Sequence, residues 1–255
     1  ANIDLPTSCE SKTNIARYSV NRIFDGDTIH FSNCWKVRVI GINTPETAHD
    51  KRPAQPFADD AKTLLENLIQ RSNSVIGFIP GKQEKDHYGR RLGHIFTSDE
   101  DNLAARLLEQ GLGFRLSISP NLNFQDCYKQ MEAKARSQRA GLWGINNSLI
   151  IDASQIKPRV TGFRLVRGII TSTNESRHNM WLNLGGKLVL QIRKSNLHWF
   201  DTWRPDELTG KHVEVRGWIT NKRNQMKMHI SHPAFRFWSN TCRDTLSPRS
   251  LLSCY

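Results

Sequence analysis

The chain has 255 residues, 38% hydrophobic and 24% charged, with a formal net charge of +12. That length holds one large domain or two ordinary ones with real cores, and no run reaches the roughly 18 apolar residues of a membrane span. Five cysteines, an odd number with no CxxC and no metal-like spacing to histidine, argue against a zinc site.

The chain opens at Ala1 without an initiator methionine, a charged n-region or an apolar h-region. This suits a mature exported chain, so a periplasmic or secreted protein is the expectation, although a trimmed chain reads the same. Three strand candidates follow between residues 18 and 42, "YSVNRIF", "TIHF" and "KVRVIGI". Behind a proline, residues 56–70 place Ala61, Leu64, Leu65, Leu68 and Ile69 at helical spacing. "SVIGFI" and "RLGHIFT" read as strands, "NLAARLLEQG" as a helix stopped by Gly111, and residues 124–140 as another helix before "AGLWG". Strands first and helices later, with no repeating βαβ pattern, give an α+β class with a small antiparallel barrel or sheet.

The polar stretch Asn146 to Val160, with the first proline after a helix-rich region, is the best domain boundary. It predicts a first domain over 1–150 and a second over 160–238. From residue 163 five strand candidates appear, "FRLVRGIITST", "MWLNLGG", "KLVLQIRKS", "KHVEVRGWITN" and "KMHISHP", with the less regular "LHWFDTWRPDEL" between the third and fourth. That count predicts a mostly-β, OB-like barrel, with a generic small β-barrel as the other reading. Between residues 157 and 238 there are fifteen lysines and arginines against five acids, and five of the seven tryptophans, Trp181, Trp199, Trp203, Trp218 and Trp238, interleave with them. Cations beside aromatic faces suit single-stranded nucleic acid, while each tryptophan taken singly also fits a barrel core or rim. Residues 239–255 show no periodicity and read as an irregular tail.

Three clusters in the first half carry chemistry: "DGDT" (Asp25 to Thr28), "VRVIGINTPE" (Val37 to Glu46) and "HYGRRLG" (His87 to Gly93). Asp-Gly between strands is by itself a hairpin-turn signal, Arg38 an ordinary strand residue, and Tyr88 a common half-buried aromatic. Together they hold every part that phosphodiester hydrolysis asks for. Carboxylates and a main-chain oxygen suit a hard cation, a glutamate can take a proton from water, and two arginines offer forked donors to a crowded phosphate. His30 and His94 sit in strand patterns where packing is the expected role, and His229 and His232 lack a third metal ligand.

The order and spacing of these clusters, with "PFADDA" before the first helix and "GLW" after the last, resemble the staphylococcal nuclease family over residues 17–143. The resemblance implies a five-stranded OB-like barrel carrying helices, and a nuclease that uses one calcium ion and acts on DNA and RNA, leaving 5′-hydroxyl and 3′-phosphate ends. It implies Asp27, Asn43 and the Thr44 carbonyl as metal ligands, with Asp25 supporting them. Glu46 is then the general base, Arg38 and Arg90 hold the scissile phosphate, and Tyr88 and His87 lie beside the substrate. Asn43 departs from the family pattern, which has an aspartate there, so weaker or altered cation binding is expected. Leu116 and Ile118 stand where the type enzyme has two tyrosines of the nucleotide pocket.

The reading is therefore a metal-dependent nuclease with an appended basic barrel for substrate capture, with DNA or RNA as partner and neither a membrane nor an obligate protein partner. Two rivals remain open: a non-catalytic nucleic-acid-binding module, which Asn43 favours, and a basic barrel that meets an acidic protein or membrane surface. In an oxidising compartment the expected disulfides are Cys9 with Cys34 and Cys242 with Cys254, leaving Cys127 as a free thiol in a helix.

Overall fold

A computed structural model describes residues 15–49, 52–145, 149–200, 207–222, 225–232 and 236–238, together with Cys9 and Ser11. The chain divides into two compact units, Ala1–Asn146 and Asn147–Tyr255. Among the described residues no helix is long and apolar enough to cross a membrane.

In the first unit, β1 (Ala16–Ile23), β2 (Thr28–Phe31), β3 (Lys36–Val39), a two-residue β4 (Ile42–Asn43), β5 (Val75–Lys85), β6 (Arg91–Phe96) and a two-residue β7 (Phe114–Arg115) alternate with α1 (Ala58–Arg71), α2 (Leu103–Glu109) and α3 (Gln125–Ser137). Five strands close a barrel in the order β1-β2-β3-β6-β5. All neighbours are antiparallel except β3 and β6, which run parallel. Period-two alternation decides what faces inward: Ile29, Phe31, Val37 and Val39 are buried in the core, so Thr28 and Arg38, which pair across β2 and β3, stand on the outer face.

Helix α1 buries Ala58, Ala61, Leu65 and Ile69, one stripe at three- and four-residue spacing, and carries Asp59 and Asp60 in its first turn, where the helix dipole favours them. Asn102 caps α2, accepting from Ala105 N, and its amide also donates to the buried Tyr128 hydroxyl on α3. Tyr128 pairs with His94 Nδ1 at 2.8 Å, so His94 has the packing role expected of it. His30 lies against the Phe24 ring, 4.2 Å between centroids.

The cysteines pair otherwise than expected. Cys9 is bonded to Cys127 across 118 residues, and Cys34 is a free, exposed thiol. Cys34 sits in the β2–β3 hairpin with φ 68°, whereas α3 presents Cys127 buried against the same core that Cys9 packs on. Cys242 and Cys254 lie outside the described residues, as does the tail from 239.

The second unit holds β8 (Ile150–Asp152), β9 (Gly162–Ile169), β10 (Ser172–Glu175), β11 (Asn179–Asn183), β12 (Leu188–Arg193), β13 (His212–Lys222), β14 (Gln225–Ile230) and β15 (Arg236–Trp238). They form an eight-stranded sheet in the order β10-β11-β12-β14-β13-β9-β8, with β15 also on β13. β9 and β10 are two halves of one run broken at Ile170 and Thr171; the first half pairs with β13 and the second with β11. The path therefore returns on itself through the chain, with β12 and β14 as its parallel pair, in the same cyclic order as the first barrel. This agrees with a second small barrel of OB-like pattern. Its core is Val166, Met180, Leu182, Leu190, Ile192, Val213, Val215, Met226 and Met228. The sheet also begins earlier than residue 160, because Ile150–Asp152, within the stretch read as a linker, pairs parallel with β9.

Candidate active site

Asp25 and Asp27 lie in the short link between β1 and β2. The Asp-Gly pair reads as a hairpin turn, but Gly26 serves a close approach instead: a Cβ there would lie 2.7 Å from Thr44 Cγ2 and 2.8 Å from Ala61 Cβ of α1. The backbone of Asp27 is tied into the sheet, its carbonyl accepting from Val39 N at 2.8 Å. Its side chain is buried, with Oδ2 accepting from Thr44 N at 2.8 Å and Thr44 Oγ1 at 3.1 Å, and Oδ1 accepting from Thr28 Oγ1 at 3.1 Å. Asp25 Oδ1 accepts from Asp27 N at 2.9 Å.

Arg38 projects from the outer face of β3 into this group. Its Nη2 lies 3.0 Å from Asp27 Oδ2 and donates to Asn43 Oδ1 at 3.2 Å, while Nη1 donates to the carbonyls of Val39 and Ile42. Pairing of β4 with β7 holds Asn43, and a glycine at 41, φ +91°, allows the chain to turn between β3 and β4 with its Cα against the Tyr128 ring. Glu46 follows Pro45 at the exposed rim, its backbone clasped by Gln55, whose Oε1 accepts from Glu46 N at 3.0 Å.

Electrostatics join these residues to the "HYGRRLG" turn. Burial and the Asp27 charge push the Glu46 carboxyl up, opposed by Arg38, Arg90 and His49, so Arg90 lies within electrostatic reach of Glu46. Burial, then the Asp27 charge, push Asp25 up to about 7, against the hydrogen bond from Asp27 N and the pull of Arg38. Arg90 is anchored by Asp86: its Nε donates to Oδ2 at 2.7 Å and its backbone N to Oδ1 at 2.9 Å. Burial acts to raise the Asp86 carboxyl, but these bonds outweigh it and hold the group below the usual carboxylate range. Tyr88 is 74% exposed and its ring lies 5.5 Å from the Arg90 guanidinium; His87, also exposed, packs 3.8 Å from the Tyr88 ring.

The fold thus gathers Asp25, Asp27, Arg38, Asn43, Thr44, Glu46 and Arg90, with Tyr88 and His87 on the turn that carries Arg90. Sequence reading missed the supports: Thr28, Gln55 and Asp86. Only Asp86, four residues before Arg90 across a glycine turn, left a local signal. Ile118, at a position the resemblance assigns to the nucleotide pocket, is exposed and apolar.

The donors available to a cation are oxygens alone, on Asp25, Asp27, Asn43 and the Thr44 carbonyl, the set a hard divalent ion takes. Among the described residues no group of three or more His, Cys, Asp and Glu side chains is placed to hold a metal, so the amide and main-chain oxygens are needed to complete a shell. Burial and then the nearby Asp27 carboxylate raise Asp25, and the oxygen-only chemistry of this donor set fits such an ion.

Carboxylate, amide and main-chain oxygens and two guanidinium groups thus gather beside a closed five-stranded barrel, the parts that a small-barrel nuclease asks for. A family model described as staphylococcal nuclease homologue matches residues 36–145. The thermonuclease of Staphylococcus hyicus is 31% identical over 136 residues, 52% of this chain and 79% of that protein. The thermonuclease of Staphylococcus intermedius is 29% identical over 129 residues, 49% of this chain and 75% of that protein. Endonuclease YhcR of Bacillus subtilis is 29% identical over 169 residues, 62% of this chain but only 14% of that longer protein. The chain belongs to the staphylococcal nuclease family.

Proposed function

We propose that this chain is a calcium-dependent nuclease that hydrolyses phosphodiester bonds of DNA or RNA and leaves 3′-phosphate ends. The observation that carries this is Glu46, a rim carboxylate that partial burial and the Asp27 charge raise, within electrostatic reach of Asp27, Arg38, Arg90 and His49. A carboxylate with raised affinity for protons is suited to take one from water. Arg90, held by Asp86, supplies a fixed fork to the phosphate oxygens, and Arg38 adds positive charge at the Asp27 side of the site. Asp27, Asn43 and the Thr44 carbonyl would hold the cation, with Asp25 beside them. When bound, the cation polarises the phosphate and offsets its charge.

The Cys9–Cys127 bond supports an oxidising compartment, periplasmic or extracellular. The excess of cations in residues 157–238 supports capture of the polyanionic substrate by the second unit. A second reading, a binder without catalysis, is favoured by the Arg38 guanidinium, which spans the two oxygens, Asp27 Oδ2 and Asn43 Oδ1, that a cation would need. Incubation with single-stranded DNA, with calcium and with chelator, separates the two. Cleavage that needs calcium and is lost in Glu46→Gln supports the enzyme; binding without cleavage in calcium supports the binder.

A further inference from the structure

The outer face of the second sheet carries a row of side chains that no part of the catalytic reading uses. Strand pairing aligns Trp181 with Gln191 and Gln191 with His229, so β11, β12 and β14 contribute one residue each to a straight row. Two residues along β14, Lys227 places its Nζ 4.9 Å from the Trp181 ring centroid. At the end of β12 the exposed Arg193 pairs with Asn179, whose Oδ1 accepts from Gln191 Nε2 at 2.9 Å. The intervening residues Met180, Leu182, Leu190, Ile192, Met226 and Met228 all point into the core, which fixes the row on the opposite face.

The row itself holds no carboxylate, and its positive charges act on one another: burial and then Arg193 and Lys227 depress the imidazole of His229. The face continues onto β13. Thr220 pairs with Lys227, and Trp218, two residues away and therefore on the same side, is 44% exposed with its ring 5.1 Å from Phe163. Two partly exposed indoles thus stand on one face, interleaved with lysine, arginine and amide groups.

We infer that this face binds single-stranded nucleic acid, with Trp181 and Trp218 as stacking platforms for bases and Lys227 and Arg193 as contacts to the phosphates. Charge selects the occupant as a polyanion. The aromatic faces then favour unpaired bases, because bases inside a duplex offer no free π-surface to an outer barrel face. Gln191 and Asn179, tied to each other, add amide groups without demanding a particular base. The inference deepens the proposed function by naming where the substrate is captured and in which form.

The test uses the full chain in chelator, so that its outcome does not depend on whether the strand is cut. Binding of a fluorescent oligothymidine is compared with that of a duplex of equal length and with poly-glutamate. Trp181→Ala and Lys227→Gln, both on the surface, are tested singly and together; Lys62→Gln on α1 serves as a control for charge alone. Stacking of a base contributes about 1–3 kcal/mol, so Trp181→Ala should weaken oligothymidine binding by roughly 5- to 150-fold. Lys227→Gln should lower the slope of log affinity against log salt by about 0.7. Unchanged affinity in the double variant, whose fold is checked by circular dichroism, overturns the inference. Equal affinity for the duplex, or for poly-glutamate, overturns it as well, the latter in favour of an acidic protein partner.

Discussion

After its third barrel strand the first unit inserts the 14-residue helix α1, whereas at the same point the second unit inserts a seven-residue 3-10 segment, Lys194–Phe200. The consequence reaches the charges. In the first unit α1 presses Ala61 against the Asp25–Asp27 link, so the carboxylates there lose water and each finds a specific partner. In the second, Lys227 and Arg193 lie on an outer face that no α-helix of that unit covers among its described residues, and the charge stays spread. The same cyclic strand order therefore supports either a concentrated, partly desolvated site or an open, hydrated face. What separates them is the element placed over the barrel, not the barrel.

If this contrast also divides chemistry from capture, the largest effects come from the rim of the first barrel. Glu46→Gln and Arg90→Lys should each slow strand cleavage by roughly two to four orders of magnitude, the span of a lost general base or oxyanion-type donor. Melting temperature and oligonucleotide affinity in chelator should hardly move. A parallel loss of affinity would break the division. Arg38→Lys should lose both activity and stability, because the guanidinium holds Asp27, Asn43 and two carbonyls together.

A pH titration sharpens the contrast next. His94 is buried against Tyr128 and burial lowers it to about 4, from 6.5 in an unfolded chain. The unfolded state binds the extra proton between these values, so stability is full above about 6.5 and falls as pH drops toward 4, by on the order of 3 kcal/mol. His94→Gln should flatten that limb in a chemical denaturation series. A limb of unchanged slope would assign the acid sensitivity elsewhere.

How much of this was legible in the sequence depended on range. The strands "TIHF" and "KVRV" were legible, and their two-residue period carries Arg38 on the face opposite Val37 and Val39, because that period is a local property. The order of "DGDT", "GINTPE" and "HYGRR" marked the residues that the fold gathers. The Gly26 contact with α1 was not legible: it depends on Ala61, 35 residues on, and the local dipeptide imitates a turn. Nor was the Cys9–Cys127 pair, since a disulfide follows Cα proximity in the folded chain, 5.6 Å here, and not spacing. The pairing of Ile150–Asp152 with β9 was hidden by polar neighbours that read as a linker.

Three smaller effects complete the comparison. Gly26→Ala should destabilise the first unit by about 1–3 kcal/mol, since its Cβ must displace Thr44 or α1. Gly210→Ala in the second meets open space and should cost about 1 kcal/mol through its φ of +84° alone. Equal costs in thermal melts would deny the tight closure of α1 over the site. Asn43→Asp should shift the calcium midpoint of a thermal-shift titration to lower concentration, because ligand charge tunes the affinity of hard cations. A midpoint that stays put removes Asn43 from the ligand set.

The bond between Cys9 and Cys127 closes residues 9–127 of the first unit into a covalent ring that contains every proposed active-site residue. Closing a loop of about a hundred residues removes on the order of 4–5 kcal/mol of chain entropy from the unfolded state. It also changes what a single cut can do. A protease that nicks the chain at the exposed Ala48 would part Asp25, Asp27, Arg38 and Glu46 from Arg90 in sequence but not in molecule. The two fragments would stay tethered, rejoin at the high effective concentration of a linked pair, and separate only under reducing conditions.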